Sequence, residues 1–345
     1  MKHSVVIGGA GFVGSWVVDE ILKDPNTRVT IVDNLISSEK WNISADPRVT
    51  FIEGSAAEFI SFEKIQGPID FIYQLACFHG NQSSIAQPLD DLENGLKTTL
   101  VTLEWARKNS PNSRIVYSGA GCAVAEKTWE TPEAVKETNS TSLIHDSPYS
   151  ISKITGEMYC CYYSVQHDLD IVRVRFQNVY GPREILGAGI WRGTVNTIWR
   201  NVIPTFIWKA LNNEQLEVYG SQKASRDFIY VQDIARGCVL AGKNGKKGEV
   251  YNLATEKETE ILELAELIVN TVGSNSNIVA IPPRNWDHSG RRFGSSKKAE
   301  KEIGFKAVYD LKSGIGETVS WTKSKIGPIE KCISKHHEIE LKNFS

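Results

Sequence analysis

Tyr149 and Lys153 form a Tyr-x-x-x-Lys pair whose phenol can act as a base and whose amine can supply a positive charge. Enzymes that use such a pair for hydride chemistry normally keep a Ser or Thr hydroxyl at the end of the facing strand. Here the apolar run Ile115–Tyr117 is followed by S-G-A-G-C-A, so Ala120 takes the hydroxyl position and Cys122 comes two residues later. The pattern keeps the phenol and the amine, lacks the hydroxyl, and offers a thiol.

A second chemical pattern lies near the N-terminus, where G-G-A-G-F-V-G follows the apolar run Val5–Ile7 and opens the helical pattern Val13–Ile21. Gly8 permits a tight turn, Gly11 lets the backbone approach a pyrophosphate, and Gly14 lets the helix pack closely on the strand. Phosphates then lie at the helix N-terminus, where free N–H groups and the helix dipole favour anions.

Asp33 strengthens this interpretation because it ends the next apolar run, Val29–Val32. A carboxylate at that place accepts hydrogen bonds from a ribose 2′-OH and repels a 2′-phosphate. We therefore expect NAD rather than NADP as the cofactor. The alternative is a glycine-rich structural turn without a ligand.

These residues must be positioned by an alternation of apolar strands and amphipathic helices. Such alternation predicts an α/β fold, a Rossmann doubly wound parallel sheet with a smaller C-terminal α/β substrate lobe. The predicted strands are 5–7, 29–32, 49–52, 71–75, 115–117, 171–176 and 250–253, and the main helices are 13–21, 92–106 and 149–167. The predicted division is a NAD-binding domain over 1–180 with return segments near 226–256, a substrate lobe over 181–325, and a polar tail over 326–345.

Composition excludes several classes of protein. The chain has 345 residues, 41% of them hydrophobic and 23% charged, with a formal net charge of −2. This balance describes a soluble globular protein and gives no reason to expect nucleic acid as a partner. No apolar run approaches the roughly 18 residues of a membrane span. The six cysteines show no zinc spacing and suit a reducing cytoplasm.

Four motifs occur in one order and together resemble the extended short-chain dehydrogenase/reductase superfamily, specifically its NAD-dependent nucleotide-sugar epimerases and dehydratases. They are the glycine motif, Tyr149 with Lys153, N-V-Y-G-P-R over 178–183, and R-D-F-I-Y-V over 226–231. The likeness runs from about residue 3 to residue 324. It implies a tightly bound NAD in the N-terminal lobe, a UDP- or GDP-sugar between the lobes, and a homodimer. The usual reaction of the family begins by oxidising a sugar carbon.

The resemblance assigns roles to individual positions. Tyr149 would be the phenolate base, and Lys153 the cation that stabilises it and holds the nicotinamide ribose. The implied NAD contacts are Gly8, Gly11, Phe12, Val13, Gly14, Asp33, Asn34, Leu75 and Lys153. The implied sugar-diphosphate contacts are Asn178, Arg226, Arg284 and Arg292, with Arg192 and Asn201 as further substrate contacts. Arginines suit this task because their forked hydrogen bonds neutralise a pyrophosphate.

The chain also departs from the family pattern. Ser55 replaces an Asp that often contacts the adenine. Gly121 and Cys122 replace the Asp and Glu of the 4,6-dehydratases, which argues against elimination of water. A Cys here resembles the GDP-mannose 3,5-epimerases and epimerase-like enzymes of O-antigen loci, where the thiol works on a proton next to a carbonyl. As a structural alternative, Cys122 is a small hydrophobe that fills space.

Inversion at such a carbon needs a second group on the other face of the sugar ring. His79 is the first candidate, because it follows the fourth strand in a loop that borders substrate in this family. The Lys that GDP-mannose 3,5-epimerases use has no counterpart near Asn201, so Arg192 and Asn201 are the fallback candidates.

The sequence thus favours a NAD-dependent nucleotide-sugar epimerase that inverts C5, or C3 and C5, after transient oxidation at C4, for surface polysaccharide synthesis. A uronic acid derivative is one candidate sugar, since its C6 carboxyl acidifies the C5 proton. Two alternatives stay open. One is a 4-epimerase in which Tyr149 works alone or Ser118 supplies the hydroxyl, and the other is a non-catalytic protein that binds NAD and a nucleotide sugar.

Overall fold

The computed structural model describes residues 1–78, 80–121, 128–141, 143–190, 198–199, 201–220, 223–285, 287 and 290–343. Its strands are β1 (Lys2–Ile7), β2 (Thr27–Asp33), β3 (Val49–Glu53), β4 (Phe71–Gln74), β5 (Arg114–Ala120), β6 (Asp170–Phe176), β7 (Asn178–Tyr180), β8 (Leu216–Tyr219), β9 (Ser225–Arg226), β10 (Phe228–Tyr230), β11 (Val250–Leu253), β12 (Thr259–Glu260) and β13 (Ile278–Ile281). Seven of them form one sheet in the order β11-β6-β5-β4-β1-β2-β3. All adjacent pairs are parallel, so the predicted doubly wound sheet is confirmed.

The helices depart from the prediction at 92–97 and again at 326–343. They are α1 (Phe12–Leu22), α2 (Phe59–Glu63), α3 (Asn81–Ala86), α4 (Pro88–Asp91), α5 (Thr98–Asn109), α6 (Pro148–Gln166), α7 (Val202–Leu211), α8 (Val231–Asn244), α9 (Ile261–Val272), α10 (Lys297–Ile303), α11 (Leu311–Ser324) and α12 (Ile326–Asn343). The single helix predicted over 92–106 is interrupted, because a π-helical segment, Leu92–Lys97, joins α4 to α5. Such segments are rare and occur frequently at functional sites.

The sheet is buried on both faces, which explains why its strands are continuous apolar runs. Alternate residues of one strand enter different core clusters: Val6 belongs to the cluster that includes helices α1 and α8, whereas Val5 and Ile7 belong to the cluster that includes α5. The glycine turn after β1 is therefore anchored on a strand that is buried on both faces.

A smaller lobe is assembled from the short strands after residue 177. The pairs β7–β10, β8–β13 and β9–β12 each form a two-stranded sheet, and a separate core cluster joins α7, α9 and α11. Asp227 connects the lobe's loops, since its carboxylate accepts hydrogen bonds from Thr255, from the Glu256 backbone and from the Gly294 backbone at 2.6–3.2 Å. Burial raises the pKa of the Asp227 carboxyl to about 6.

Residues 326–343 form helix α12, where the sequence predicted a polar tail. Ile329, Cys332 and Ile333 of this helix are buried in a cluster with Ile185 and Leu186. The prediction missed the helix because Lys, Glu and His dominate the composition, whereas the few apolar residues recur at helical spacing.

Helix α12 also holds two loops at the rim of the molecule's main cleft. Lys335 Nζ lies 2.8 Å from Glu39 Oε1, and the same oxygen accepts a hydrogen bond from the Gly189 backbone at 2.9 Å. His336 Nε2 lies 2.9 Å from the Gly187 carbonyl oxygen. Helix α12 therefore contacts both loops through Lys335 and His336.

None of the helices in the described ranges combines the length and the hydropathy that a membrane crossing requires.

Gly187→Ala is expected to destabilise the protein through helix α12. Gly187 has φ of +69°, and a Cβ built on it lies 2.5 Å from the Cys332 carbonyl oxygen. We expect the free energy of unfolding to fall by about 2 kcal/mol or more. The control is Gly316→Ala in helix α11, where a Cβ meets no atom within 4 Å. That variant should gain roughly 0.5–1 kcal/mol, and equal values for the two in chemical denaturation would contradict the packing argument.

Candidate functional site

One cleft of about 750 Å³ runs along the carboxyl ends of the sheet strands and under the smaller lobe. Its lining extends from the glycine turn after β1 to Arg292, and includes residues that follow β2, β4 and β5. In open α/β sheets this edge is where ligands bind. The candidate residues that the structure describes therefore share one cavity.

The glycine turn leaves room for a ligand at the N-terminus of α1. Gly8 has φ of +82°, and a Cβ on it would lie 2.8 Å from the Ala76 backbone nitrogen. A Cβ on Gly14 would lie only 2.0 Å from the Gly8 carbonyl oxygen, so no side chain fits there. Gly11 is the N-cap residue, and no side chain caps the helix. The first N–H groups of α1 are thus presented to the cleft as an anion site.

Asp33 is held at the cleft by a network of donors. Oδ2 accepts a hydrogen bond from the Ala10 backbone at 3.0 Å, and Oδ1 accepts from the Leu35 backbone at 2.8 Å and from Ser38 Oγ at 3.0 Å. Burial raises the pKa of the Asp33 carboxyl, and these hydrogen bonds oppose that effect. A buried carboxylate beside the glycine turn suits a ribose diol and leaves no place for a 2′-phosphate.

The nine predicted NAD contacts all line this cleft: Gly8, Gly11, Phe12, Val13, Gly14, Asp33, Asn34, Leu75 and Lys153. The residues present therefore fit NAD. Ser55 is not part of the lining, and its hydroxyl accepts a hydrogen bond from the Ala57 backbone at 3.2 Å.

Lys153 is fixed to the end of β5. Helix α6 begins at Pro148, and the Ser147 hydroxyl caps it by accepting a hydrogen bond from the Ser150 backbone. One turn later the Lys153 ammonium, only 7% exposed, donates to the Ser118 carbonyl oxygen at 2.8 Å and to Ser118 Oγ at 3.3 Å. A buried ammonium with these partners has a defined position in the cleft.

Tyr149 lies one helical turn before Lys153 and also lines the cleft. It packs against an apolar cluster of Ala120, Val135 and Ile154. The position predicted for the missing hydroxyl is thus occupied by a buried methyl group. The Ser118 hydroxyl is engaged elsewhere, because it donates to the Gln74 carbonyl oxygen at 3.0 Å. Ser118 is therefore poorly placed to replace the hydroxyl for Tyr149.

Several cations line the other half of the cleft, together with Asn178 at the start of β7. The Arg226 guanidinium donates to the backbone carbonyls of Ser225 and Gly290 at 2.7 and 2.8 Å. Arg284 lies over the Tyr219 ring, with 3.9 Å between its Cζ and the ring centroid. Arg292 is 7% exposed, and its Nε has no hydrogen-bond partner among the described residues. Carboxylates also line this region, and that of Asp287 lies 3.9 Å from Arg226. The arginine guanidinium groups are the part of the cleft that suits an anion.

Three predicted site residues, Cys122, His79 and Arg192, lie outside the described residues. Asn201 lines the cleft, and its amide donates a hydrogen bond to the Glu184 carboxylate. Glu184 is a cleft-lining carboxylate, 7% exposed, that the sequence analysis did not single out. Its position directly after the 178–183 motif was the available signal, although no spacing rule marked it.

Comparison with known proteins agrees with this geometry. The model of the NAD-dependent epimerase/dehydratase family matches residues 4–254. The enzyme WbmF of Bordetella bronchiseptica in complex with NAD+ is 44% identical, with a TM-score of 0.85, and the match covers 98% of this chain and 97% of that one. That enzyme has also been solved with NAD+ and UDP together.

A second relative, a putative epimerase, matches this chain over nearly the full length of both proteins. The putative UDP-glucose 4-epimerase of Methanocaldococcus jannaschii is 32% identical over 321 residues, which cover 93% of this chain and 98% of the relative. The resemblance and the expected NAD cofactor are confirmed at the level of the family. This chain belongs to the NAD-dependent epimerase/dehydratase family of nucleotide-sugar enzymes.

Proposed function

We propose that this protein is a nucleotide-sugar epimerase that inverts C5, or C3 and C5, after transient oxidation of the sugar at C4. The observation that carries the proposal is the retained Tyr149 and Lys153 beside the buried methyl group of Ala120. The groups for removing a hydroxyl proton are present, but the usual third hydroxyl is absent. This combination favours chemistry at a neighbouring carbon acid, for which Cys122 supplies the thiol.

The protein's own groups divide the reaction between them. Tyr149 as phenolate takes the proton of the C4 hydroxyl, and the charge of Lys153 stabilises that phenolate. NAD would be held by the glycine turn, Asp33 and Lys153, and would supply the hydride acceptor and donor for C4, so that the reaction is redox-neutral. The C4 ketone acidifies the C5–H bond, the Cys122 thiolate removes that proton, and a group on the other face donates a proton to C5. Tyr149 finally returns its proton to the C4 oxygen.

The proton donor on the other face is the less defined part of the proposal. Arg192 and His79 are retained as candidates from the sequence. Asn201 carries an amide, which does not titrate, and its hydrogen bond to Glu184 suits a positioning role. Glu184 joins the candidates, because a buried carboxylate in the same cleft is able to exchange a proton.

A dehydratase is disfavoured by the space around Gly121. A Cβ on Gly121 would lie 2.3 Å from Gln177 Nε2 and 3.0 Å from the Phe176 carbonyl oxygen. The Asp that 4,6-dehydratases carry at this position would therefore require the buried Gln177 to move.

A 4-epimerase is the second candidate function, and the Methanocaldococcus relative favours it. The engaged Ser118 hydroxyl leaves Tyr149 to work alone in that case. A non-catalytic binding protein is the third, and failure of a broad panel of nucleotide sugars to reduce bound NAD would support it.

Incubation of candidate UDP- and GDP-sugars in D₂O tests the reaction. The wild-type protein should incorporate deuterium at C5, because the removed proton exchanges with solvent. Cys122→Ala should lower that rate by about 10²-fold or more, whereas Cys77→Ala, which removes a thiol that lines the cleft, should leave it unchanged. Exchange at the wild-type rate in Cys122→Ala would refute the thiol's role. Inversion at C4 without label would select the 4-epimerase.

The substrate is proposed to be UDP-linked, because the Bordetella relative binds UDP. Arg292 is the proposed partner of the diphosphate, because its buried Nε has no hydrogen-bond partner among the described residues. Arg292→Met is expected to weaken UDP binding about 10- to 100-fold. The ligand-free protein should keep or gain thermal stability, since a buried charge without a partner is costly.

Isothermal titration with UDP and thermal melts measure these two effects. Lys297→Met removes the same charge from an exposed position outside the cleft and serves as the control. Equal UDP affinity in the Arg292 and Lys297 variants would contradict the assignment.

We further propose that two copies pair through helix α6. Its outer face exposes a stripe of large apolar side chains, Ile151, Met158, Tyr159, Tyr162 and Val165, with exposures from 37% to 77%. Sedimentation should give twice the chain mass, and Val165→Glu should shift it to the monomer, because a charge on that stripe opposes burial. Val308→Glu, at an apolar residue exposed elsewhere to 67%, should leave the dimer intact. A monomeric wild type would refute the pairing.

The cytoplasm is the proposed location. The described cysteines, Cys77, Cys160, Cys161, Cys238 and Cys332, are all free thiols, as a reducing compartment allows. Fractionation of native cells checks this assignment, and recovery outside the cytoplasm would exclude it.

A further inference from the structure

Asp91 is a buried carboxylate that neither the sequence motifs nor the proposed reaction uses. It lies at the end of α4, directly before the π-helical segment, and is only 1% exposed. Its Oδ2 accepts a hydrogen bond from Ser152 Oγ at 2.5 Å. Its Oδ1 is buried and has no hydrogen-bond partner among the described residues. Burying an ionised carboxylate with so few donors is costly unless a nearby charge compensates it.

The Lys153 ammonium supplies a positive charge that acts on this carboxylate from a longer range than an ion pair. Ser152, which holds Asp91, is the residue before Lys153 on α6, and the charge of Lys153 acts on the Asp91 carboxylate. Burial raises the pKa of the Asp91 carboxyl, whereas the Ser152 hydrogen bond and Lys153 oppose that rise. Lys153 in turn has a carbonyl and a hydroxyl of Ser118 as hydrogen-bond acceptors, neither of which carries a charge.

The other charged groups around this pair are engaged elsewhere. Glu157, one turn further along α6, is bonded to Arg173 and Arg175 of β6. Glu93 and Lys97 of the π-helical segment form an ion pair with each other, and both are about half exposed. Two further titratable groups among the described residues lie near Lys153. The buried hydroxyl of Tyr117 on β5 donates to the Lys153 backbone carbonyl, and the charge of Lys153 also acts on the buried thiol of Cys160 on α6. Asp90 is exposed to solvent, and α3 carries no titratable side chain.

The π-helical segment brings Asp91 to this place. A Cβ built on Gly95 would lie 3.5 Å from Asp91 Oδ1 and 3.6 Å from Ser152 Cβ, so the backbone of the segment packs against both residues. The same segment carries Asn94, and Thr98 begins the helix after it; both line the cleft. The irregular helix thus joins the cleft wall to the helix that bears Tyr149 and Lys153.

We infer that Asp91 is a positioning residue for Lys153: through Ser152 it fixes α6, and its buried charge balances the Lys153 ammonium beside Tyr149. The inference rests on the proposed roles of Tyr149 and Lys153. When Tyr149 is ionised, Asp91 and the phenolate share one positive charge. Asp91 therefore moderates how strongly Lys153 favours the phenolate.

Asp91→Asn tests this charge, because the side chain keeps its shape and its amide oxygen still accepts from Ser152 Oγ. With the negative charge removed, Lys153 stabilises the Tyr149 phenolate more strongly. We expect the titration midpoint of Tyr149 to move to lower pH by about half to one pH unit. The midpoint is read from the tyrosinate ultraviolet difference spectrum of the NAD-bound protein, after subtraction of the matching Tyr149→Phe background.

Asp90→Asn is the matched control, since it removes the same charge one residue earlier at an exposed position. If Asp91→Asn does not fold, Asp91→Leu replaces it, because leucine removes the carboxylate together with its need for hydrogen bonds. Asp91→Leu should shift the midpoint in the same direction. A midpoint that moves no further in the Asp91 variants than in Asp90→Asn overturns the inference. A lower melting temperature in the Asp91 variants with an unchanged Tyr149 titration midpoint overturns it as well, because Asp91 would then act only on the stability of the fold.

This spectroscopic readout needs no sugar substrate. If no nucleotide sugar is turned over, the proposed function fails while the Asp91 titration still gives its answer. If turnover is found, the acid limb of its kcat/KM profile should move to lower pH in Asp91→Asn by the same amount as the Tyr149 midpoint. An unmoved acid limb contradicts the role of Asp91 in the reaction.

Discussion

The buried contact between the Lys153 ammonium and Ser118 is the interaction on which the site's geometry depends. It ties α6 to β5, and the Ser118 hydroxyl extends the connection to the Gln74 carbonyl at the end of β4. An ammonium that is 7% exposed cannot leave these acceptors without losing the hydrogen bonds that offset its desolvation. Tyr149, one turn earlier on a rigid helix, is thereby held against Ala120. The two candidate catalytic side chains are therefore held at one point of the sheet edge.

The sheet was predictable from sequence because parallel strands buried on both faces are continuous apolar runs. The strand ending at Asp33 and the turn around Gly8 follow directly from such a pattern. Helix α12 was not predictable in the same way, since its burial depends on Ile185 and Leu186, which lie far away in sequence. The break at Leu92–Lys97 also escaped the analysis, because its apolar residues keep a helical spacing across a π-helical segment.

The candidate site likewise contains residues that the sequence predicted and residues that it did not. Residues such as Arg226 and Asn178 were identified because the motifs that contain them resemble those of the family, and they share the cleft. Asp91 and Glu184 were missed, because a carboxylate becomes informative only once its burial is known. The sequence also could not reveal that the Ser118 hydroxyl is occupied by a backbone carbonyl. The hydrogen-bond partner of a buried hydroxyl is known only from the three-dimensional structure.

Helix α12 has a consequence for how the cofactor enters and leaves. Ile36 and Ala188 line the cleft, and the Ile190 backbone donates to the Ile36 carbonyl oxygen at 2.9 Å, so the two rim loops are joined. Helix α12 fastens both of them through Lys335 and His336. Movement of either loop away from the cleft therefore breaks contacts with helix α12. The rim of the cleft thus depends on residues that are remote in sequence from the glycine turn and Asp33.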